Sequence, residues 1–133
     1  MKLSTLFVLS GIVTFVFSLA FFLVPETFLA LYVPQGTNVV EAAAVGRLYG
    51  ASVLGWAILD FMVRNAAKSE ARDAIVMAKF LTWGLALVAA LWVQLSGVLN
   101  ALGWSTVVIH LLFTVVWGYF AFMKKEEPVA RPA

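Results

Sequence analysis

The chain has no cysteine, which excludes disulfides, thiolate metal sites and cysteine nucleophiles. It has one histidine, His110, too few for a multi-histidine metal centre, and its carboxylates are too scattered to complete one. Charge is scarce. Only 12% of the 133 residues are Asp, Glu, Lys or Arg, against about a quarter in an ordinary soluble domain. GxSxG, HExxH, GxGxxG and Walker patterns are all missing, so hydrolase, metalloprotease, dinucleotide and nucleotide-phosphate readings have no motif to stand on. The net charge is only +2 and the basic residues form no stripe with exposed aromatics, which argues against nucleic acid as a partner. The expectation is a protein that is not an enzyme, with no catalytic residue, metal or cofactor.

Hydrophobic residues are what the chain does have, at 63% of its length. They fall into four runs, Leu3–Val24, Val40–Val63, Ala74–Val98 and Trp104–Met123. Each approaches the roughly 20 residues that a helix needs to cross the hydrocarbon core. A helix satisfies its own backbone polar groups, which lipid cannot do. The expected fold is all-α, a four-transmembrane-helix bundle over residues 1–123, embedded in a lipid bilayer. The tail 124–133, with Pro128 and Pro132, reads as disordered and cytoplasmic. Ser18-Leu19-Ala20 loosely imitates a signal-peptidase site. The apolar run continues through Val24, longer than a usual signal-peptide core, so the first helix is expected to be retained.

Basic residues choose the orientation. Lys2, Arg64, Lys68, Arg72, Lys79, Lys124, Lys125 and Arg131 lie at one end of the runs, and the links 25–39 and 99–103 contain no Lys or Arg. The positive-inside rule then puts both termini and the 64–73 loop in the cytoplasm of an inner-membrane protein. The stretch Pro25–Tyr32 has Pro near a helix start and Glu26 in the first turn. It is too short to cross, so a short interfacial or re-entrant helix is expected there, ended by Pro34-Gln35-Gly36.

Gly46 and Gly50 form a GxxxG pair in the second run, with Ala42 one step earlier, and Ala51 and Gly55 add another small-residue step. Such faces allow close backbone approach. They serve packing within the bundle or a homodimer, and the motif does not distinguish these. Trp56, Trp83, Trp92 and Trp117 lie deep in their runs, suited to core filling, lipid contact or the lining of a small-ligand pocket.

Few polar residues stand inside the runs. Arg47 lies seven residues past Val40, roughly 10 Å along the helix. Ala43, Ala44, Gly50 and Ala51 are its helical neighbours, so it is expected to point into a helix interface. Gln94 and His110 come from two further runs at a similar depth, with Glu41, Glu26 and Asn100 above them. Two readings follow. Arg47, Gln94, His110 and Glu41 could form an outward-facing pocket for a small lipophilic or anionic ligand, with Arg47 as anchor. Alternatively they are structural, Arg47 pairing with Glu41 or Glu26 and Gln94 with His110. Lower down, Asp60 and Lys79 face each other across a hairpin and suit a structural ion pair, with Arg64 as an alternative partner for Asp60.

The function expected from these readings is that of an accessory or scaffold subunit of a larger membrane complex, or of a lipophilic-ligand binder. The alternative is a small transporter or membrane redox partner using the Arg47/His110 pocket. Small multidrug transporters place a Glu in their first helix, whereas Leu3–Val24 has no ionisable residue.

The segment Arg47-Leu48-Tyr49-Gly50-Ala51, the basic loop after it, Asn100-Ala101-Leu102-Gly103-Trp104 and the Pro25 turn resemble small bacterial four-helix membrane proteins of unknown function, including DoxX-like ones. The resemblance covers most of the chain. It implies a four-helix bundle of the bacterial inner membrane and supplies no activity.

Overall fold

A computed structural model describes residues 1–123; the expected disordered tail, 124–133, lies outside the described residues. The fold is an all-α four-helix bundle. Helix α1 spans Leu3–Leu23, α2 Pro25–Ala30, α3 Val40–Val63, α4 Glu70–Leu95 and α5 Gly103–Gly118, and α5 runs on into a wider π turn at Tyr119–Met123. The four long segments are each apolar and long enough to cross a membrane. Many of their large apolar side chains face outward, including Leu48, Leu85, Trp92 and Leu95.

The helix ends follow local chemistry. Ser69 caps α4 by accepting the Arg72 N–H at 3.2 Å, and Glu70 and Asp73 lie in the first turn, where the helix dipole favours acids. This cap starts α4 at Glu70, a turn before the expected Ala74, because backbone satisfaction rather than hydropathy decides where a helix begins. At the other end Ser96 follows the last helical residue, and Gly97 takes a left-handed φ of +75°. The helix therefore stops short of the expected Val98. The short helix after α1 is present as α2, with Pro25 at its first position. A turn closed by the Thr37 N–H on the Pro34 carbonyl follows it, with Gly36 at φ +83°.

The helices pack as two antiparallel pairs. In the first, α1 lies against α3. A Cβ on Gly50 would come within 2.7 Å of the Phe22 nitrogen and 2.8 Å of the Ser18 carbonyl oxygen, so only glycine permits that backbone approach. Gly46 is filled against Phe21 and Pro25, and at the far end Gly11 lies under Phe61 and Asp60. Gly55, expected on the packing face, has nothing within 4 Å of its Cβ position. It is five residues beyond Gly50, so about 100° per residue turns it well off the buried stripe of Ala43, Gly46, Gly50 and Ala57. Ala42 and Ala51 are likewise exposed.

In the second pair α4 lies against α5. Phe80 packs on Gly118, Gly84 meets Thr114, and the Trp83 and Phe113 rings stack at 4.4 Å. The two pairs join at one end through a core of Leu3, Leu6, Phe7, Val76, Trp83, Trp117 and Phe120. Phe7 meets Trp117 edge-on at 5.0 Å. Towards the other end they separate, and a cavity lies between them.

Candidate functional site

The cavity has a volume of about 330 Å³, within the range of about 300–1,000 Å³ usual for small-molecule pockets. Seven of its eighteen lining residues are aromatic. Phe17 and Phe21 come from α1, Phe28 from α2, Tyr49 and Trp56 from α3, and Trp83 from α4. Phe21 is held edge-on by both Phe28 and Tyr49, at 4.9 and 5.2 Å. Polar groups in the lining are few: Thr14, Lys79, Thr82, Thr106 and His110, with the hydroxyls of Tyr32 and Tyr49. The exposed members of the lining are Tyr49, Trp56 and Thr82. All three stand on α3 or α4, which puts the open flank of the cavity between those two helices.

Lys79 is the one charged residue in the lining. Its ammonium lies 2.7 Å from an Asp60 carboxylate oxygen, with the two side chains 3% and 0% exposed. Ser10 sets its hydroxyl beside the same carboxylate, and Lys79 lies 5.5 Å from the centre of the Trp56 ring. Carboxylate and aromatic face together hold the cation in an apolar setting, where it would be costly alone. The expected Asp60–Lys79 pair is therefore present. Arg64 turns instead to the Phe61 carbonyl on its own helix.

The expected cluster of Arg47, Gln94, His110 and Glu41 does not assemble. Arg47 reaches the rim, where its guanidinium lies 3.7 Å from Glu26, with the side chains 51% and 54% exposed. Of its four helical neighbours Ala43 and Gly50 are buried, whereas Ala44 and Ala51 are exposed, and the pairing with Glu26 is one of the two structural alternatives. Phe21, Pro25 and Leu29 pack against the preceding Gly46, and the long Arg47 stem carries its charge outward to Glu26. Glu41 is exposed in the first turn of α3. Gln94 is buried, but it turns to its own hairpin. Its Nε2 donates to the Asn100 carbonyl at 3.3 Å, and its Oε1 fills the space a Cβ on Gly103 would need. Of the four, His110 alone lines the cavity. Its Nδ1 lies 2.7 Å from the Thr106 carbonyl, and its ring lies 5.2 Å from Trp83.

Asn100 ties together the end of the bundle opposite the Leu3–Trp117 core. Its Nδ2 donates to the carbonyls of Leu31 at 2.8 Å and Val33 at 3.2 Å. Its backbone N–H donates to Tyr32 at 2.7 Å, and its Oδ1 accepts the Leu102 N–H at 2.8 Å. One residue of the α4–α5 link thus ties down the segment after α2, and with it the Phe28 and Tyr32 walls.

A family model described as a domain of unknown function, DUF8292, matches residues 1–123. The chain belongs to the DUF8292 family. No curated protein and no solved structure matches it. In this DUF8292 chain the match takes in all four long helices, α2 and the Asn100 link, and so every residue of the cavity.

Sequence reasoning missed the cavity's chemistry in two places. It placed Lys79 in a structural ion pair and not in a pocket, although the same residue also lines the cavity. It also named only tryptophans as candidates for a pocket lining and left out the phenylalanines of α1 and α2. Four phenylalanines, Phe17, Phe21, Phe22 and Phe28, within twelve positions were the available signal, and three of them line the wall. Among the described residues no group of three possible metal ligands comes together.

Proposed function

We propose that this protein is a four-span inner-membrane protein that holds a small lipophilic molecule between its two helix pairs. The observation that carries this reading is the aromatic cavity with a buried, paired lysine in its lining. A tightly packed scaffold has no need of such a space, and an unfilled cavity costs stability. Outward-facing Leu, Val and Trp side chains along all four long helices support residence in a bilayer. The Lys and Arg distribution supports cytoplasmic termini. A relationship to DoxX-like proteins belongs to the same proposal. It rests on Arg47–Ala51 and Asn100–Trp104, segments that include Gly50 and Asn100, both of which the fold uses.

Native mass spectrometry of protein released from mild detergent tests the function. The expected result is a bound lipophilic compound that is lost in Ala86→Trp, which fills the cavity from α4. Protein partners in fixed ratio, with no small molecule bound, would instead make the chain an accessory subunit. Orientation is tested separately. Reporter fusions should read periplasmic at Asn38 and cytoplasmic at Ala67, and the reverse pattern would overturn the topology.

A further inference from the structure

Resting on the ligand-binding reading above, we infer that the cavity selects a neutral, flat aromatic compound bearing a carbonyl acceptor, placed so that Lys79 donates to that acceptor. The argument begins with charge. Lys79 and Asp60 form a buried pair at 2.7 Å whose charges cancel. A second carboxylate beside them would bring an uncompensated negative charge into an apolar space, which is expensive. A neutral carbonyl adds no charge. An ammonium has three N–H donors, and Asp60 is its oxygen partner among the described residues. Donors are therefore left for the cavity that Lys79 lines.

The rest of the lining fits the same class. Thr106 offers a carbonyl to His110, so Nδ1 is the protonated nitrogen, and the neutral imidazole keeps only an acceptor at Nε2. His110 therefore does not compete with Lys79 for a carbonyl. Trp56 and Trp83, with Phe17 and Phe21, offer ring faces and edges to a flat molecule. A hydrogen bond from a charged donor to an otherwise apolar ligand separates it from the matching hydrocarbon by about tenfold or more in affinity.

Three probes of similar shape test this on the intact protein in nanodiscs, by calorimetry with empty nanodiscs subtracted. They are menadione, neutral with two carbonyls; 2-methylnaphthalene, with no acceptor; and 2-naphthoate, an anion. Menadione is expected to bind about tenfold or more tightly than 2-methylnaphthalene, and more tightly than 2-naphthoate. The paired variant Asp60→Asn/Lys79→Met removes both charges together and leaves no lone ion. In it the preference for menadione should collapse while the 2-methylnaphthalene affinity is kept. Tighter binding of 2-naphthoate, equal binding of menadione and 2-methylnaphthalene, or a preference that survives in the paired variant would each overturn the inference and leave the ligand-binding reading standing. If none of the three binds, both fall.

Discussion

Lys79 of α4 meets Asp60 of α3 at 2.7 Å, each almost wholly shielded from solvent. The contact joins the two helix pairs through charge, on the same stretch of α4 that gives Val76 and Trp83 to the core. Removing one partner leaves a buried ion alone. Lys79→Met is expected to cost about 3–5 kcal/mol, and Asp60→Asn/Lys79→Met to recover much of it. Reversible unfolding in mixed micelles measures both. Equal losses in the single and paired variants would mean that the pair is not coupled.

Gly50 and Gly55 are chemically identical and structurally opposite. Gly50→Ala must push α1 and α3 apart, because the new methyl meets the backbone of Phe22 and Ser18. A loss of about 1–3 kcal/mol is expected. Gly55→Ala meets nothing and should be neutral or stabilising by up to about 1 kcal/mol through helix propensity. Thermal unfolding of the two variants side by side decides the matter, and a similar loss in both would place the close contact elsewhere.

Asn100→Ala removes side-chain hydrogen bonds to Leu31, Val33 and Leu102. At about 0.5–1.5 kcal/mol each, a loss of about 2–4 kcal/mol is expected. The local effect should be larger than the global one. Amide exchange should speed up across residues 25–33 while α1 keeps its protection. Uniform acceleration over the whole chain would argue against a local clasp.

Arg47→Gln removes a half-exposed ion pair with Glu26 at 3.7 Å. Such pairs contribute about 0–1 kcal/mol, so stability should barely move. Because Arg47 is not part of the cavity lining, binding of menadione should change less than about twofold, equivalent to under about 0.5 kcal/mol. A tenfold loss would restore Arg47 as a ligand anchor.

The contrast between Arg47 and Lys79 shows how far the sequence could be read. Hydropathy places each residue at a depth, and depth alone brought Arg47, Gln94 and His110 to one level. Contact also depends on how each helix is rotated and on what fills the space between. Arg47 stands at the rim beside Glu26 of α2, a short segment whose docking no periodicity encodes. Gln94 was claimed by its own hairpin through Asn100 and Gly103. Asp60 and Lys79 were readable because they stand near the same end of consecutive antiparallel helices, where connectivity fixes the partner. Gly46 and Gly50 were readable because four-residue spacing repeats a helical face. Gly55 belonged to a second, overlapping pattern with no partner helix among the described residues.

If the cavity holds a lipophilic molecule as proposed, its open flank between α3 and α4 sets from which reservoir that molecule arrives. With Asn100 clasping one end and the Leu3–Trp117 core closing the other, the route runs sideways, into whatever surrounds the helices. In a bilayer that surrounding is itself a solvent for the ligand, and each buried methylene favours it over water by about 0.8 kcal/mol. Occupancy then follows the mole fraction of the compound among the lipids. A modest intrinsic affinity is enough to keep the cavity filled, and a change in membrane composition is enough to empty it.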